Sequence, residues 1–300
     1  MKKFISLALA LVMVLGLCAC GGAEESKAPA STAPEQSSSA PESAAPAPEA
    51  DSNPLGTIEP GVLTVATSPD YAPYEFYAIG SDGTAELAGF DIALIKYIAD
   101  YLEIELEIIP MDFDGVLLEL ANGSVDLGIA GISPDPAREV SMDFSDIYYE
   151  GGQAFITSKA NAGKFSDLAS LNNADISVGA QNGTIQMDLA NEFSADADIV
   201  TLTKATDVIA EIISGKLDGG YVEYDVAVAY QVNYPDLQIV CEVPYDVEGN
   251  AIGVIKGNEA LLAAVNEAIA ACIEDGSFSQ FVAEALEQAR GDIHEGLLEG

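Results

Sequence analysis

Residues 89–130 read GFDIALIKYIADYLEIELEIIPMDFDGVLLELANGSVDLGIA, and two periodicities alternate within them. Phe90, Leu94, Tyr97, Ile98 and Tyr101 recur at helical spacing, which predicts an amphipathic helix starting near Gly89. Ile104, Leu106 and Ile108 then alternate with Glu103, Glu105 and Glu107, the pattern of a half-buried strand. Val116, Leu117 and Leu120 return to helical spacing and stop at Asn122-Gly123, after which 125–130 reads as a strand. The alternation extends outward on both sides. An apolar run at 62–67 precedes it; runs at 153–157, 175–179, 198–202, 217–222, 238–243 and 251–255 follow, with helical patterns between them. Two helices, over 258–273 and 277–289, close the pattern. Strand-helix alternation of this length predicts an α/β fold on parallel, helix-covered sheets.

An internal echo points to two such units. Leu120-Ala-Asn-Gly-Ser-Val-Asp126-Leu-Gly-Ile reappears as Ile213-Ser-Gly-Lys-Leu-Asp218-Gly-Gly-Tyr, each reading as a helix end, a glycine turn and an aspartate opening a strand. The match is short, and such corners often look alike.

The chain has 300 residues, room for one large domain or two ordinary ones, and its 49% hydrophobic content is enough to build cores. Its 11 Lys+Arg stand against 49 Asp+Glu, a formal net charge of −38. Without Lys2 and Lys3, which lie in a segment read below as a removed signal, the balance falls to −40. Phosphate backbones and anionic head groups would repel such a chain, so nucleic-acid binding is excluded as a function class. The single histidine, His294, sits near the C-terminus. That leaves no material for His-based metal sites or for Ser-His-Asp and Cys-His catalysis inside the fold, and no metal or cofactor is expected. Asp112 and Asp114 lack the accompanying acids of a calcium loop and read as a solvated helix start.

The N-terminus names a compartment. Lys2 and Lys3 precede an apolar run from Phe4 to Cys20, too short to be a comfortable membrane span and suited to a secretory signal. It ends in Leu17-Cys18-Ala19-Cys20-Gly21, which resembles a bacterial lipobox with Cys20 as the acylated residue. An ordinary signal peptide or an N-terminal anchor helix are the alternatives. Of residues 23–54, 27 are Ala, Pro, Ser or Glu and none is a large apolar residue, so this segment cannot offset its chain entropy by burial and reads as a disordered tether. The expected layout is a signal peptide over 1–19 and a lipidated Cys20 with tether over 20–56. The body beyond would stand outside the cytoplasm, held to the membrane only by lipid. Cys241 and Cys272 remain as either free thiols or one bridge.

Seven landmarks then follow in order. They are Gly61-Val-Leu-Thr-Val-Ala-Thr67 with Pro69-Asp-Tyr71-Ala-Pro-Tyr-Glu-Phe76; Gly89-Phe-Asp91-Ile-Ala-Leu-Ile; Phe113-Asp-Gly-Val-Leu-Leu-Glu-Leu; Val125-Asp-Leu-Gly-Ile-Ala-Gly-Ile-Ser133; Arg138-Glu with Asp143-Phe-Ser-Asp-Ile-Tyr-Tyr149; Val178-Gly-Ala-Gln-Asn-Gly-Thr184; and Leu217-Asp-Gly-Gly-Tyr-Val-Glu223-Tyr-Asp-Val-Ala227. Along 57–290 the chain resembles the extracytoplasmic amino-acid-binding proteins of ABC importers, solute-binding family 3. The resemblance implies a type II periplasmic-binding-protein-like fold with two α/β lobes joined by two crossing segments, near 150–153 and 243–250. Lobe 1 would comprise 57–152 plus 245–300 and lobe 2 153–244. It also implies a monomer that binds an amino acid and delivers it to an ABC permease and its ATPase. Enzymes of the cyclodehydratase kind and sensor modules on the same fold are the alternative.

Arg138 and Arg290 are the only arginines, and Arg138 follows a Pro-Asp-Pro corner. Its guanidinium fork suits a carboxylate bidentately, although an ion pair with Glu139 or Asp143 would explain it equally on the residues alone. The resemblance gives Arg138 the ligand carboxylate, and Ala130, Gly131 and Ser133 main-chain groups and a hydroxyl. It gives Tyr71 and Phe113 packing on the ligand side chain, and Glu223 the ligand ammonium, with Asp225 as the other candidate. Tyr74, Tyr77, Tyr148 and Tyr149 read as structural. Gly183-Thr184 precedes a helical pattern, so Thr184 can cap a helix and face an anion. The negative field favours cationic or zwitterionic ligands mildly, since salt screens it over about 8 Å.

Overall fold

The structure, a computed structural model, describes residues 53–80, 82–246 and 249–291. The signal segment, Cys20, most of the tether and His294 lie outside the described residues. In chain order the elements are β1 (Val62–Thr67), β2 (Asp70–Tyr71), β3 (Glu75–Ile79), β4 (Ala85–Ala88), α1 (Phe90–Tyr101), β5 (Glu105–Pro110), α2 (Phe113–Ala121), β6 (Leu127–Gly128) and β7 (Met142–Phe144). Next come β8 (Gln153–Ser158), β9 (Ser177–Gln181), α3 (Ile185–Phe193), β10 (Asp198–Leu202), α4 (Ala205–Ile213), β11 (Gly219–Glu223), α5 (Tyr224–Asn233) and β12 (Leu237–Val243). The chain then returns through β13 (Gly253–Ile255), α6 (Glu259–Glu274) and α7 (Ser277–Gln288).

These elements build two five-stranded sheets, ordered β5-β1-β6-β13-β7 and β10-β9-β11-β8-β12, and a small β2-β3-β4 sheet. The links β7–β8 and β12–β13 run from one large sheet to the other, so the α/β body has two lobes joined by two crossings. Those crossings lie side by side, bridged at Tyr149 and Asn250 and by the Tyr245 hydroxyl donating to the Gly151 carbonyl at 2.6 Å. The sheets are mixed, which corrects the expectation of parallel ones. β8 pairs antiparallel with β11 and β12, and β13 antiparallel with β6 and β7. Both reversed strands are the first after a crossing, so each enters its sheet from the side shared by the lobes.

The echoed corners are equivalent in hydrogen bonding. Asp126 donates its N–H to the Thr64 carbonyl and accepts the Thr64 N–H on its carboxylate at 2.9 Å. Asp218 does the same with Ser177, also at 2.9 Å. Asp126 thus leads into β6, which pairs with β1, and Asp218 into β11, which pairs with β9.

Helix α1 buries Phe90, Ile92, Leu94, Ile95 and Ile98, while Tyr101 is exposed, so the apolar face is rotated slightly from the periodic reading. α1 packs on α6 and α7 in the largest core. Its start is set by Gly89, whose φ of 112° brings the backbone so close that a Cβ would land on the Tyr74 carbonyl. The Asp91 N–H can then reach that carbonyl at 2.9 Å, which fixes the Asp91 side chain beneath Gly131. The folded body also begins earlier than the tether reading predicts. Asn53 accepts the Thr57 N–H at 3.1 Å, and the Asn258 amide donates to the Leu55 and Gly56 carbonyls at 2.9 and 3.0 Å. These side-chain amides, together with Leu55 packed against the main core, hold the start of the body. Cys241 and Cys272 are free thiols on β12 and α6.

Buried acids tie the lobes together. Asp70 on β2 accepts the Ala205 N–H at 2.7 Å, so a carboxyl of one lobe caps the first turn of α4 in the other. Its second oxygen takes the Ser68 hydroxyl at 2.9 Å. Burial pushes the Asp70 carboxyl up to about 6, against the hydrogen bonds that lower it. Burial also raises Asp91 to about 6, although the Gly131 N–H and the Tyr148 hydroxyl donate to it. A carboxyl with a raised folded pKa binds its proton more tightly when folded. Its stabilising contribution is therefore complete below about pH 4 and is lost as pH rises through about 6. The strong negative charge of the chain works in the same direction. Thermal melting should therefore come at higher temperature near pH 5 than near pH 7.5, by on the order of 1–3 kcal/mol per raised group. Asp70→Asn should reduce that difference. Melting that is flat or falls on acidification to about pH 5 would contradict this account of the buried acids.

Candidate functional site

A narrow cleft opens between the two lobes. One wall comes from the turn after β1 and the small sheet, with Ser68, Asp70, Tyr71 and Glu75. Phe113 at the start of α2 and the segment after β6, with Ala130, Gly131, Ser133 and Arg138, complete that side. The facing wall is the end of β9 and the start of α3, with Gln181, Thr184, Ile185 and Gln186. Seven of the eight expected ligand residues therefore meet in one place: Tyr71, Phe113, Ala130, Gly131, Ser133, Arg138 and Thr184.

Arg138 opens a short 3-10 turn after the Pro-Asp-Pro corner. Its Nη1 donates to the Ser133 carbonyl at 2.8 Å and its Nη2 crosses the cleft to the Gly183 carbonyl at 2.9 Å. The Phe113 ring lies 5.7 Å from its Cζ, within range of a cation–π contact. The alternative of a structural ion pair fails on the observed partners. Asp143 pairs with Lys256 at 2.6 Å, Glu139 gives its carbonyl to the same lysine, and among the described residues no carboxylate lies within ion-pair distance of Arg138. Burial pulls the guanidinium below its ordinary pKa, while Asp135 and Asp188 at longer range oppose this.

Thr184 is the N-cap of α3, accepting the Met187 N–H at 3.3 Å and donating to the Gln181 carbonyl at 2.7 Å. Gly131 departs from its expected role. Its N–H is given to Asp91 and its carbonyl takes the Asn250 amide at 2.7 Å, so both main-chain groups are engaged within the protein. Its φ of 54° lets the backbone lie against the Tyr71 and Tyr74 rings, where a side chain would meet Tyr71 at 3.3 Å. The Tyr71 hydroxyl accepts from Gln186 at 3.1 Å.

Glu223 does not line the cleft, contrary to expectation. It is 1% exposed, accepts the Tyr74 hydroxyl, and sits where any Cβ on Gly151 would collide with it. Burial lifts its pKa well above the ordinary glutamate value, with the Asp225 and Asp91 charges adding to the effect and Tyr74 opposing it. Asp225 is bonded to the Tyr149 hydroxyl at 2.7 Å and does not line the cleft either. The acids that do are Asp70 and Glu75, neither singled out from sequence. The available signal was local: both lie inside the run Pro69–Phe76, where a carboxylate amid aromatics has little reason to be except a polar task. Gln181 and Gln186 were likewise missed, because an amide after a strand carries no distinguishing pattern. Among the described residues no cluster of metal-ligating side chains is present.

Residues 63–288 match the family model described as bacterial extracellular solute-binding proteins, family 3. The arginine-binding extracellular protein ArtP of Bacillus subtilis is 33% identical over 201 residues, covering 66% of this chain and 75% of ArtP. The solved amino acid ABC transporter substrate-binding protein AbpA of Streptococcus pneumoniae, bound to L-arginine, superposes with a TM-score of 0.73 at 32% identity, over 77% of this chain and 97% of AbpA. The ancestral amino-acid-binding protein AncCDT-1, a precursor of cyclohexadienyl dehydratase, reaches 0.67 at 30% identity over 75% and 96%. With the two-lobed fold and a cleft that gathers the expected residues, the match over most of its length makes this chain a member of the bacterial extracellular solute-binding proteins, family 3.

Proposed function

We propose that this protein captures an α-amino acid outside the cytoplasm and delivers it, by closure of its lobes, to an ABC permease and its ATPase. The observation that carries the reading is Arg138, a guanidinium lining the cleft without a carboxylate partner among the described residues. A planar fork in that position is suited to accept a ligand carboxylate in two parallel bonds. Arginine in the bound state of AbpA and in the name of ArtP supports the choice of an amino acid. In this reading Ser133, Thr184 and the Ala130 main chain complete the polar end of the site, while Tyr71 and Phe113 pack on the ligand side chain. Lobe 1 spans 57–152 plus 245–300 and lobe 2 153–244, so the ligand is held by both. The protein works as a monomer held to the outer face of the membrane through a lipid on Cys20. The competing reading is a dehydratase-like enzyme, favoured only by the likeness to AncCDT-1 and by a buried cleft carboxyl, Asp70, that burial raises to about 6, which suits a general acid. Product formed from a prephenate-like acid would select that reading.

Arg138→Lys keeps the charge but cannot reproduce the two parallel bonds, and should lose most of the affinity for arginine. Arg138→Ala should weaken binding roughly 30-fold or more by calorimetry, since breaking one partner of a buried charge pair costs about 2–5 kcal/mol. Wild-type affinity in Arg138→Ala would remove this residue from the ligand site. Cys20→Ala should release the protein from the cell surface, and mass spectrometry finding an unmodified Cys20 on mature, cell-associated protein would refute the anchor.

A further inference from the structure

We infer that residues 292–300 fold back as an amphipathic helical segment into a groove between α1, α7 and the small β2-β3-β4 sheet. This groove shares no residue with the cleft, so the inference stands whether or not the cleft takes an amino acid.

The floor of the groove is apolar. Ile79 of β3, Leu87 of β4, Ala93 of α1, and Phe281 and Ala285 of α7 line it. All but Ala285 are only half-buried, and β4 is the outer strand of its sheet. Apolar surface left open where three elements meet suits the apolar face of a further segment. The rim carries the exposed carboxylates of Glu86, Glu284 and Glu287. Lys96 stands among them and forms no ion pair among the described residues.

The chain itself points to the occupant. Helix α7 ends at Gln288 and its last turn tightens: the Arg290 N–H donates to the Glu287 carbonyl at 3.2 Å, and the Gly291 N–H to the Gln288 carbonyl at 3.0 Å. Gly291 is itself part of the groove wall, so the residues that follow, DIHEGLLEG, start at its edge. At about 100° per residue, Ile293, Leu297 and Leu298 fall on one side of this segment, while Asp292, Glu295 and Glu299 gather on the other. Docking by the apolar side therefore turns the acids away from the glutamate rim. His294 falls between Leu297 and Leu298 on that side, where it can donate to a rim carboxylate. So short a helix is marginal alone in water, and packing must supply its stability. Attachment at the groove wall makes docking an intramolecular step, at an effective concentration that a free peptide or a second protein lacks.

The position has a consequence for the cleft. The far end of β3 and β4 wall the groove, while β2 and the start of β3 carry Asp70, Tyr71 and Glu75 to the cleft. A docked segment would brace from behind the sheet that forms one side of the ligand site.

The chain contains no tryptophan, so Leu297→Trp introduces a single fluorescent reporter. Its emission in the folded, full-length protein should be blue-shifted relative to the same protein in urea, at every protein concentration. Ala93→Glu added to it puts a charge on the groove floor and should return the emission to the solvent value. Leu87→Glu replaces it if Ala93→Glu lowers the melting temperature. Solvent-like emission from Leu297→Trp alone would overturn the inference. A blue shift that neither floor substitution removes would overturn it too, placing the segment elsewhere. A blue shift that fades on dilution, with a dimer on sizing, would overturn it in favour of docking on a second copy. The wild-type sequence gives an independent readout. Ending the chain after Gly291 should speed hydrogen exchange several-fold at the amides of β4 and α7 and leave β9 and β10 unchanged. Unaltered exchange in β4 and α7 would overturn the inference.

Discussion

The cleft is organised by a shortage of positive charge. Asp70, Glu75, Asp91 and Glu223 are all buried near one another, and Arg138 is the one basic side chain among the groups that line the cavity. Burial forbids these acids from ionising cheaply, so each must find donors or stay protonated. Hydroxyls and main-chain N–H groups satisfy three of them. That requirement explains features otherwise unrelated: the cap that Asp70 places on α4 across the lobes, the reach of Tyr148 to Asp91, and the glycine at 151 that makes room for Glu223.

Arg138 answers the opposite need. Held over Phe113 and anchored by two carbonyls, one from each lobe, it is positioned by neutral acceptors that leave its charge uncancelled. An uncancelled guanidinium in the cavity matches a ligand carboxylate in charge. Because the Arg138 anchor at Gly183 lies on the second lobe, whatever orders this side chain also bears on how the lobes meet.

Much of this was legible in the sequence for physical reasons. The corners at Asp126 and Asp218 could be read because a left-handed glycine ends the helix before each, and both corners form the same pair of bonds. Helices α1, α6 and α7 followed from apolar spacing. Strand direction was not legible, since β8 and β13 owe their reversal to the crossings and periodicity carries no direction. Nor was the fate of Glu223, whose burial against Tyr74 depends on two segments 149 residues apart. Gly131 shows the same limit: its motif announced a ligand contact, while Asp91 and Asn250 take its main-chain groups.

If one ligand completes a site shared by two lobes, the lobes must close around it. Binding must favour the closed form if only there does the ligand meet groups from both lobes. Small-angle scattering of the protein with and without saturating arginine, with occupancy established by calorimetry, should show a smaller radius of gyration in the bound form. Scattering curves that superpose while arginine is bound would contradict the account.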